Sequence, residues 1–379
     1  MTSPNPATDT DPSAWNAERC AAVEALRIGV SNRYVAKYVS YGRRNQIREI
    51  ESSIRDSDRG SCQIVVGGYG MGKSHICEIV ANRLLDSGYA VAKLEMGASS
   101  GRAENPHAVL ASIGRSLSVR IDGQIVRGNT DLALLLRASQ PVKESWRWDY
   151  EIRNNLMKKY PGETGVIQRL GELRQAYREE ARESRYLRRL PTLLDDIPST
   201  MTAANLAVAE VNKAAHVLRP LGIKGVVLLF DEAERSNWAY SNYRTDRALT
   251  LMTGFACAAA NKKTDRLKHY RNETYYRYVP KSPSRIHAVY WFTHEWGVAR
   301  SLKTRIRLNP INLPDLDPRI KRRIRKGIEE LYSAAYSCEV NLSKWAERTI
   351  EKGDSEDIRR FVRRTVAALD YMRLNSHNH

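Results

Sequence analysis

Apolar positions along the chain follow two periods. Short continuous apolar runs occur at residues 62–66 (CQIVV), 89–96 (YAVAKLEM), 225–230 (GVVLLF) and 286–292 (IHAVYWF). Runs of this length bounded by glycine or polar residues predict buried strands. Elsewhere apolar residues recur three and four apart, which predicts helices: from near Trp15 through Ala21, Val23, Leu26 and Ile28, from Asn45 to about Ile54 after a Gly42-Arg43-Arg44 turn, and from Lys73 to Leu85 before Gly88. A further short strand is expected over Arg305 to Leu308. The stretch of about 105–217 carries few strand signals, and its mixed charges (QAYREEARESRYLRRL at 175–190) predict solvated helices. Residues 309–379 read as all-helical, with Asp317-Pro318 as a cap and helix start, Gly353 closing the next helix, and Asp354 or Ser355 capping the last.

The order strand, glycine loop, helix, strand opens an α/β parallel-sheet domain. The expected organisation is a disordered tail at 1–14, where almost nothing can be buried, followed by an α/β core at 15–308. A helical insertion at about 105–217 and a basic, aromatic insertion at 261–285 interrupt that core, and 309–379 form a helical lid.

Composition narrows the class. The 379 residues are 42% hydrophobic and 27% charged, which suits a folded protein of two domains, or one with a large insertion, and excludes collagen-like, disulfide-scaffold and wholly disordered chains. No apolar run approaches the ~20 residues of a membrane helix. The polar start MTSPNPATDTDPSA lacks an apolar signal core, so a cytoplasmic protein without membrane contact is expected. Five scattered cysteines, Cys20, Cys62, Cys77, Cys257 and Cys338, contain no C-x-x-C pair, which predicts reduced thiols rather than a zinc site. The net charge of +18 favours polyanionic partners, nucleic acid first.

The chemistry concentrates at two strand ends. Residues Gly67, Gly68, Tyr69, Gly70, Met71, Gly72, Lys73 and Ser74 satisfy G-x-x-x-x-G-K-[ST] between a predicted strand and a predicted helix, the context that motif requires. Glycines let the backbone wrap so that its N–H groups face phosphate oxygens, and the following helix adds its positive N-terminal dipole. Lys73 then reaches the β- and γ-phosphates of ATP, and the Ser74 hydroxyl ligates Mg²⁺. The run VVLLFDE ends in Asp231 and Glu232, at the carboxyl end of a strand, where open α/β sheets place ligands. Asp231 suits the Mg²⁺ shell and Glu232 the polarisation of an attacking water.

In-line phosphoryl transfer usually needs a cation beyond the loop lysine. Arg305 is one candidate, as a finger presented to a neighbouring subunit's nucleotide; a plain surface arginine beside Lys303 and Arg307 is the alternative. Arg359 is the other: it borders the apolar stripe Ile358, Phe361, Val362, Thr365, Val366 and Leu369, whereas Arg360 and Arg364 point away. Thr293, past the 286–292 strand, could hold the attacking water or the γ-phosphate, with His294 and Glu295 as rivals. His75, the last residue of the expected nucleotide-binding stretch 67–75, reads as a packing residue rather than a catalyst.

Two basic segments are candidate DNA surfaces. Residues 261–285 interleave eight Lys/Arg with Tyr270, Tyr275, Tyr276 and Tyr278, the composition of a nucleic-acid groove or of a long solvated excursion. In RIKRRIRK at 319–326 the cations could equally be the wet face of a helix whose Ile320, Ile324, Ile328 and Leu331 point inward.

Taken together, VEALRIGVSNRY at 23–34, GGYGMGKSH at 67–75, LLFDEAER at 228–235, SLKTRIRL at 301–308 and DIRRFVRRTVAALD at 357–370 make the chain resemble the ATP-binding proteins of BREX-type phage-defence systems, a P-loop branch related to AAA+ and origin-recognition-like ATPases. The resemblance implies an AAA+-like P-loop fold, ATP hydrolysis, homo-oligomer formation, and work on DNA with other defence proteins. The family pattern has proline before the last-helix arginine, where this chain has Ile358. No winged-helix domain is expected after Asp370, so DNA contacts are expected from the core, lid or insertions. The resulting expectation is an ATP-hydrolysing motor or switch acting on DNA. The alternative is a regulatory scaffold whose nucleotide state controls assembly with protein partners; a small-molecule kinase fits the long basic insertions poorly.

Overall fold

The computed structural model describes residues 12–39, 42–57, 59–96, 103–139, 165–183, 190–197, 203–234, 242–262, 284–293, 298–315, 317–338, 342 and 358–376. The elements in order are α1 (Pro12–Arg27), α2 (Arg33–Tyr38), α3 (Arg44–Arg55), β1 (Ser61–Val66), α4 (Lys73–Asp86), β2 (Ala90–Glu95), α5 (Pro106–Ser116), β3 (Ser118–Ile121), β4 (Gln124–Arg127), α6 (Asn129–Ser139), α7 (Val166–Glu183), α8 (Ala203–Val217), β5 (Val226–Asp231), α9 (Asn242–Ala259), β6 (Ile286–Phe292), α10 (Val298–Ile306), β7 (Ile311–Asn312), α11 (Pro318–Tyr336) and α12 (Ile358–Ser376). The α/β class expected from the sequence is the one adopted.

The chain divides into two compact units: residues 1–48, 67–82 and 313–379 form one, and 49–66 with 83–312 the other. The second holds the sheet, whose strand order is β4-β3-β2-β5-β6-β1-β7. β2, β5, β6, β1 and β7 are mutually parallel along their pairings. All six residues of β5 and all seven of β6 are buried, which explains why both read as unbroken apolar runs: strands covered on both faces have no polar alternation. At ~1.5–3 kcal/mol per fully buried Val, Leu or Phe, these two strands hold much of the unit's core.

One part of the sheet departs from the helical insertion expected at about 105–217. Residues 118–127 form an antiparallel hairpin, with Val119 opposite Val126 and Ser118 also paired to Val91 of β2. Its turn residues Asp122 (φ 50°) and Gly123 (φ 76°) are both left-handed, as a two-residue turn matching strand twist requires. The signal is the Asp-Gly step between two four-residue alternating strands.

The expected strand at Arg305–Leu308 is also corrected. Ala299, Leu302 and Ile306 are buried at three- and four-residue spacing, so this segment closes helix α10. Arg307, with φ 54°, ends it, and the short strand lies further on, with Ile311 beside Val65 of β1. Pro12 begins α1, inside the segment expected as tail.

The first unit has its own apolar core, from Ala22, Val23 and Leu26 of α1, Ile324, Ile328, Leu331 and Tyr332 of α11, and Phe361, Val366 and Leu369 of α12. Helix α11 starts as expected: the Asp317 carboxylate accepts from the Arg319 N–H at 2.6 Å, with proline in the first turn. A polar network ties the same three helices. Arg27 donates to both carboxylate oxygens of Asp370 at 2.9 and 2.8 Å and to the Tyr336 hydroxyl at 3.2 Å, while the Tyr332 hydroxyl donates to Asp370 at 2.7 Å. The expected features at Gly353, Asp354 and Ser355, residues 1–11, most of 261–285, and His294 and Glu295 lie outside the described residues.

Candidate functional site

The glycine loop leaves the carboxyl end of β1 and runs into α4. Gly70 and Gly72 have φ of 73° and 84°, left-handed values that side chains resist. A Cβ on Gly67 would stand 2.8 Å from Leu313 Cβ, so the loop's first glycine is also fixed by close packing. The Ile76 N–H donates to the Gly72 carbonyl at 3.0 Å, which starts the helix directly behind the loop.

Lys73 is 9% exposed, and its ammonium donates to the Gly67 and Gly68 carbonyls at 2.8 and 3.0 Å. A charge this buried needs such partners. The Gly68 N–H in turn donates to Met71 Sδ at 3.1 Å. Ser74 is exposed on the first turn of α4 and Tyr69 is 70% exposed. His75 turns the other way: its Nδ1 lies 2.9 Å from Ser31 Oγ, and burial pushes the imidazole down to about 4 despite a backbone hydrogen bond at Val39 that raises it. The ring is therefore uncharged at neutral pH.

Three contacts from distant parts of the chain end on this loop. Arg43, 5% exposed at the entry to α3, donates through Nη2 to the Met71 carbonyl at 3.3 Å. Burial lowers its pKa, opposed by the charge of Asp315. The first N–H of α12, from Ile358, donates to the Gly70 carbonyl at 3.2 Å. Arg359 donates through Nε to the Gly29 carbonyl at 2.8 Å and through Nη1 to the Tyr69 hydroxyl at 3.2 Å. The border position read from the helical stripe is therefore a side chain directed at the loop. Sequence reasoning passed over Arg43 and Gly29; the only cues were the Gly-Arg-Arg turn and a glycine just past a helix end.

The acidic strand end belongs to the sheet. Asp231 closes β5, is 6% exposed, and pairs across the ladder with Glu95. One carboxylate oxygen accepts from the Glu232 N–H at 3.0 Å. Glu232 has φ 52°, a strained left-handed turn for a residue with a side chain, and it turns the chain sharply off the strand. On the neighbouring strand, Val66 is level with Phe292, so β6 runs between the exits of β1 and β5, and those exits are two strands, roughly 10 Å, apart. Thr293, next after Phe292, donates to the Glu234 carboxylate. Glu234 lies inside the LLFDEAER stretch and was not singled out as a site residue. Arg305 lies on helix α10 of the sheet unit.

Among the described residues no group of three His, Cys, Asp or Glu could by itself hold a metal ion, and no helix is long and apolar enough to cross a membrane.

Residues 15–122, which contain the whole glycine loop, match the family of the BREX system ATP-binding protein BrxC/D. The resemblance read from the sequence is thus found independently over that stretch. Among solved structures the chain is similar to the Orc1 protein of Aeropyrum pernix in complex with DNA, at 12% identity and a TM-score of 0.37, covering 87% of this chain and 61% of that one. This chain therefore spans less than two thirds of that protein's length. No curated protein sequence matches.

Proposed function

We propose that the chain is an AAA+-like P-loop ATPase that binds and hydrolyses ATP and acts on DNA in defence against phage. The observation that carries this is the GGYGMGKS loop: it follows a buried parallel strand, opens a helix, holds left-handed glycines, and keeps its lysine buried against loop carbonyls. A glycine turn serving only to reverse the chain has no need of a buried ammonium. The match of residues 15–122 to an ATP-binding defence family supports the same reading.

The roles follow from residue chemistry. Loop N–H groups from Gly67 to Ser74 and the start of α4 receive phosphate oxygens, and Lys73 exchanges its carbonyl partners for β- and γ-phosphate oxygens. The Ser74 hydroxyl and the Asp231 carboxylate are hard oxygen donors of the kind Mg²⁺ takes alongside phosphates and water. When bound, Mg²⁺ neutralises charge developing on the phosphates. Glu232 polarises the attacking water, and Thr293, held by Glu234, orients the γ-phosphate or that water. Arg359 senses nucleotide from α12, and Arg305 serves as a finger toward a neighbouring subunit in a homo-oligomer. DNA and other defence proteins are the expected partners, in the cytoplasm.

ATP turnover measured on the full chain tests this. Lys73→Ala should abolish nucleotide binding, and Glu232→Gln should bind ATP while hydrolysing at least about a hundredfold more slowly, the scale on which a general base contributes. Undiminished turnover in Glu232→Gln would move the base elsewhere. Turnover and affinity indifferent to DNA would favour the regulatory scaffold over the motor.

A further inference from the structure

Helices α11 and α12 run in the same direction. The Tyr332 hydroxyl meets Asp370 at 2.7 Å, and one turn further along both helices the Arg373 guanidinium lies 3.9 Å over the Tyr336 ring. Their first halves therefore lie at the same end of the first unit. Residues 318–328 and 358–369 contain ten Lys or Arg, eight of them arginine, and no Asp or Glu. Arg319, Arg322, Arg323 and Lys326 of α11 and Arg360, Arg363 and Arg364 of α12 are exposed, whereas Ile324, Ile328, Phe361, Val366 and Leu369 are buried.

Fold stability does not call for this arrangement. Cations in the first turns oppose the helix dipole, and like charges three and four residues apart repel by a few tenths of a kcal/mol per pair. Arg319, Arg322, Arg323 and Lys326, like Arg360, Arg363 and Arg364, have that spacing. Asp317 caps the start of α11 and Asp357 precedes α12; within the helices the acids come later, where Arg325 pairs with Glu329 at 3.7 Å and Lys326 with Glu330 at 4.0 Å, and Asp370 with Arg27. Two helices thus gather exposed arginines at one shared end.

We infer that this two-helix face binds the phosphate backbone of double-stranded DNA. The inference deepens the DNA partner of the proposed function and rests on that reading. Arginine predominates because its planar fork takes two phosphate oxygens at once, which a compact ammonium cannot do. The charge density also matches. Residues 319–326 carry six cations along about 11 Å of helix, roughly one per 2 Å, against one phosphate per ~1.7 Å of duplex. The contacts are sequence-independent, because a surface of exposed arginines on helix flanks addresses phosphates and not base edges.

The test is fluorescence anisotropy of a labelled DNA duplex with the full chain over a salt series, alongside binding of a fluorescent ATP analogue. The variant combines Arg319→Gln, Arg323→Gln, Arg360→Gln and Arg364→Gln. A control set with the same charge change on the sheet unit combines Arg115→Gln, Arg127→Gln, Arg178→Gln and Arg219→Gln, all exposed in the native chain. The helix set should weaken DNA binding at least tenfold and lower the slope of log affinity against log salt by about three to four. The control set should stay near the native affinity, and both should keep the ATP analogue. A third set with lysine at the same four helix positions keeps the charge and guards against a folding defect; it should retain most of the salt slope with weaker affinity.

The inference is overturned by equal losses in the helix and control sets, by an unchanged helix set, or by native protein that shows no salt-dependent DNA affinity. It is also overturned by duplex RNA or polyglutamate competing as well as DNA. Native protein that binds DNA through this face yet ignores ATP would instead sink the ATPase reading and leave this one standing.

Discussion

Arg359 of α12 and Tyr69 of the glycine loop are joined by a hydrogen bond of 3.2 Å, and the same guanidinium holds the Gly29 carbonyl at 2.8 Å. One side chain therefore links the loop, the turn after α1 and the last helix. Removing it should act on nucleotide binding more than on stability, because hydrogen bonds at an exposed site contribute only about 1 kcal/mol net. Arg359→Ala is expected to weaken ATP binding about tenfold, the scale of one lost charge-assisted contact to phosphate, with Arg359→Lys recovering part of it. Isothermal titration of ATP together with a thermal melt separates the two effects; a large fall in Tm with unchanged affinity would make Arg359 a structural strut.

Gly29 should be sensitive for a related reason. Its φ of 71° is left-handed, and an added Cβ would stand 2.7 Å from Arg359 Cγ and 2.9 Å from Arg363 Cδ. Gly29→Ala carries a backbone cost of roughly 1–2 kcal/mol and must also displace the arginine. In nucleotide affinity, the double variant with Arg359→Ala should therefore lose less than the two single losses combined. Full additivity in a double-mutant cycle would show that the close approach does not matter.

How far the sequence reaches is clear from individual elements. β5 and β6 were legible because strands buried on both faces cannot hide their apolar runs, and the loop because left-handed glycines are written as glycine. The 118–127 hairpin was not, since four-residue strands give too few alternations to outweigh a helical neighbourhood, and only Asp122-Gly123 marked it. Helix α10 shows the opposite failure: Ile306 and Leu308 look alternating, yet burial of Ala299 and Leu302 sets the period. Lys73 in the glycine loop and Asp231 at the end of β5 announced themselves by motif. Arg43 did not, because its significance comes from burial against the Met71 carbonyl, and nothing local in Gly-Arg-Arg encodes that.

The Arg27–Asp370 pair should matter for the first unit's stability. Asp370 is about a quarter exposed and accepts from Arg27 and Tyr332. Burial alone would raise its pKa, but the Arg27 and Tyr332 hydrogen bonds and the nearby Arg27 and Arg373 charges bring it below the ordinary carboxylate value. Asp370→Ala leaves Arg27 with only Glu24 and the Tyr336 hydroxyl and is expected to cost about 2–3 kcal/mol, the scale for hydrogen bonds to charged groups. Asp370→Asn should cost less because it still accepts one bond. A pKa depressed in the folded state gives stability that is full above the unfolded value near 4 and fades below it. Chemical denaturation of the two variants at neutral pH and of the native chain in acid checks both statements.

The last prediction concerns His287, at the amino end of β6. It is 2% exposed, its Nδ1 lies 2.9 Å from Ser61 Oγ, and its ring meets the Tyr89 ring edge-on at 5.5 Å, with the Lys224 ammonium 5.9 Å from the centre of that tyrosine ring. Burial pushes its pKa down to about 4. The unfolded imidazole titrates near 6.5, so between pH 6.5 and 4 the unfolded chain binds more protons and stability falls as pH falls. At pH 5 the contribution lost is about 2 kcal/mol for this one group. His75, also held near 4, adds a loss of the same sign. His287→Gln keeps a group able to bond Ser61 but cannot take up the proton. Its melting temperature should therefore decline less steeply across this window than that of the native chain, while some slope remains from His75. Parallel slopes for the two proteins would mean that His287 is protonated in the fold and that its burial is relieved by a route the Ser61 contact does not supply.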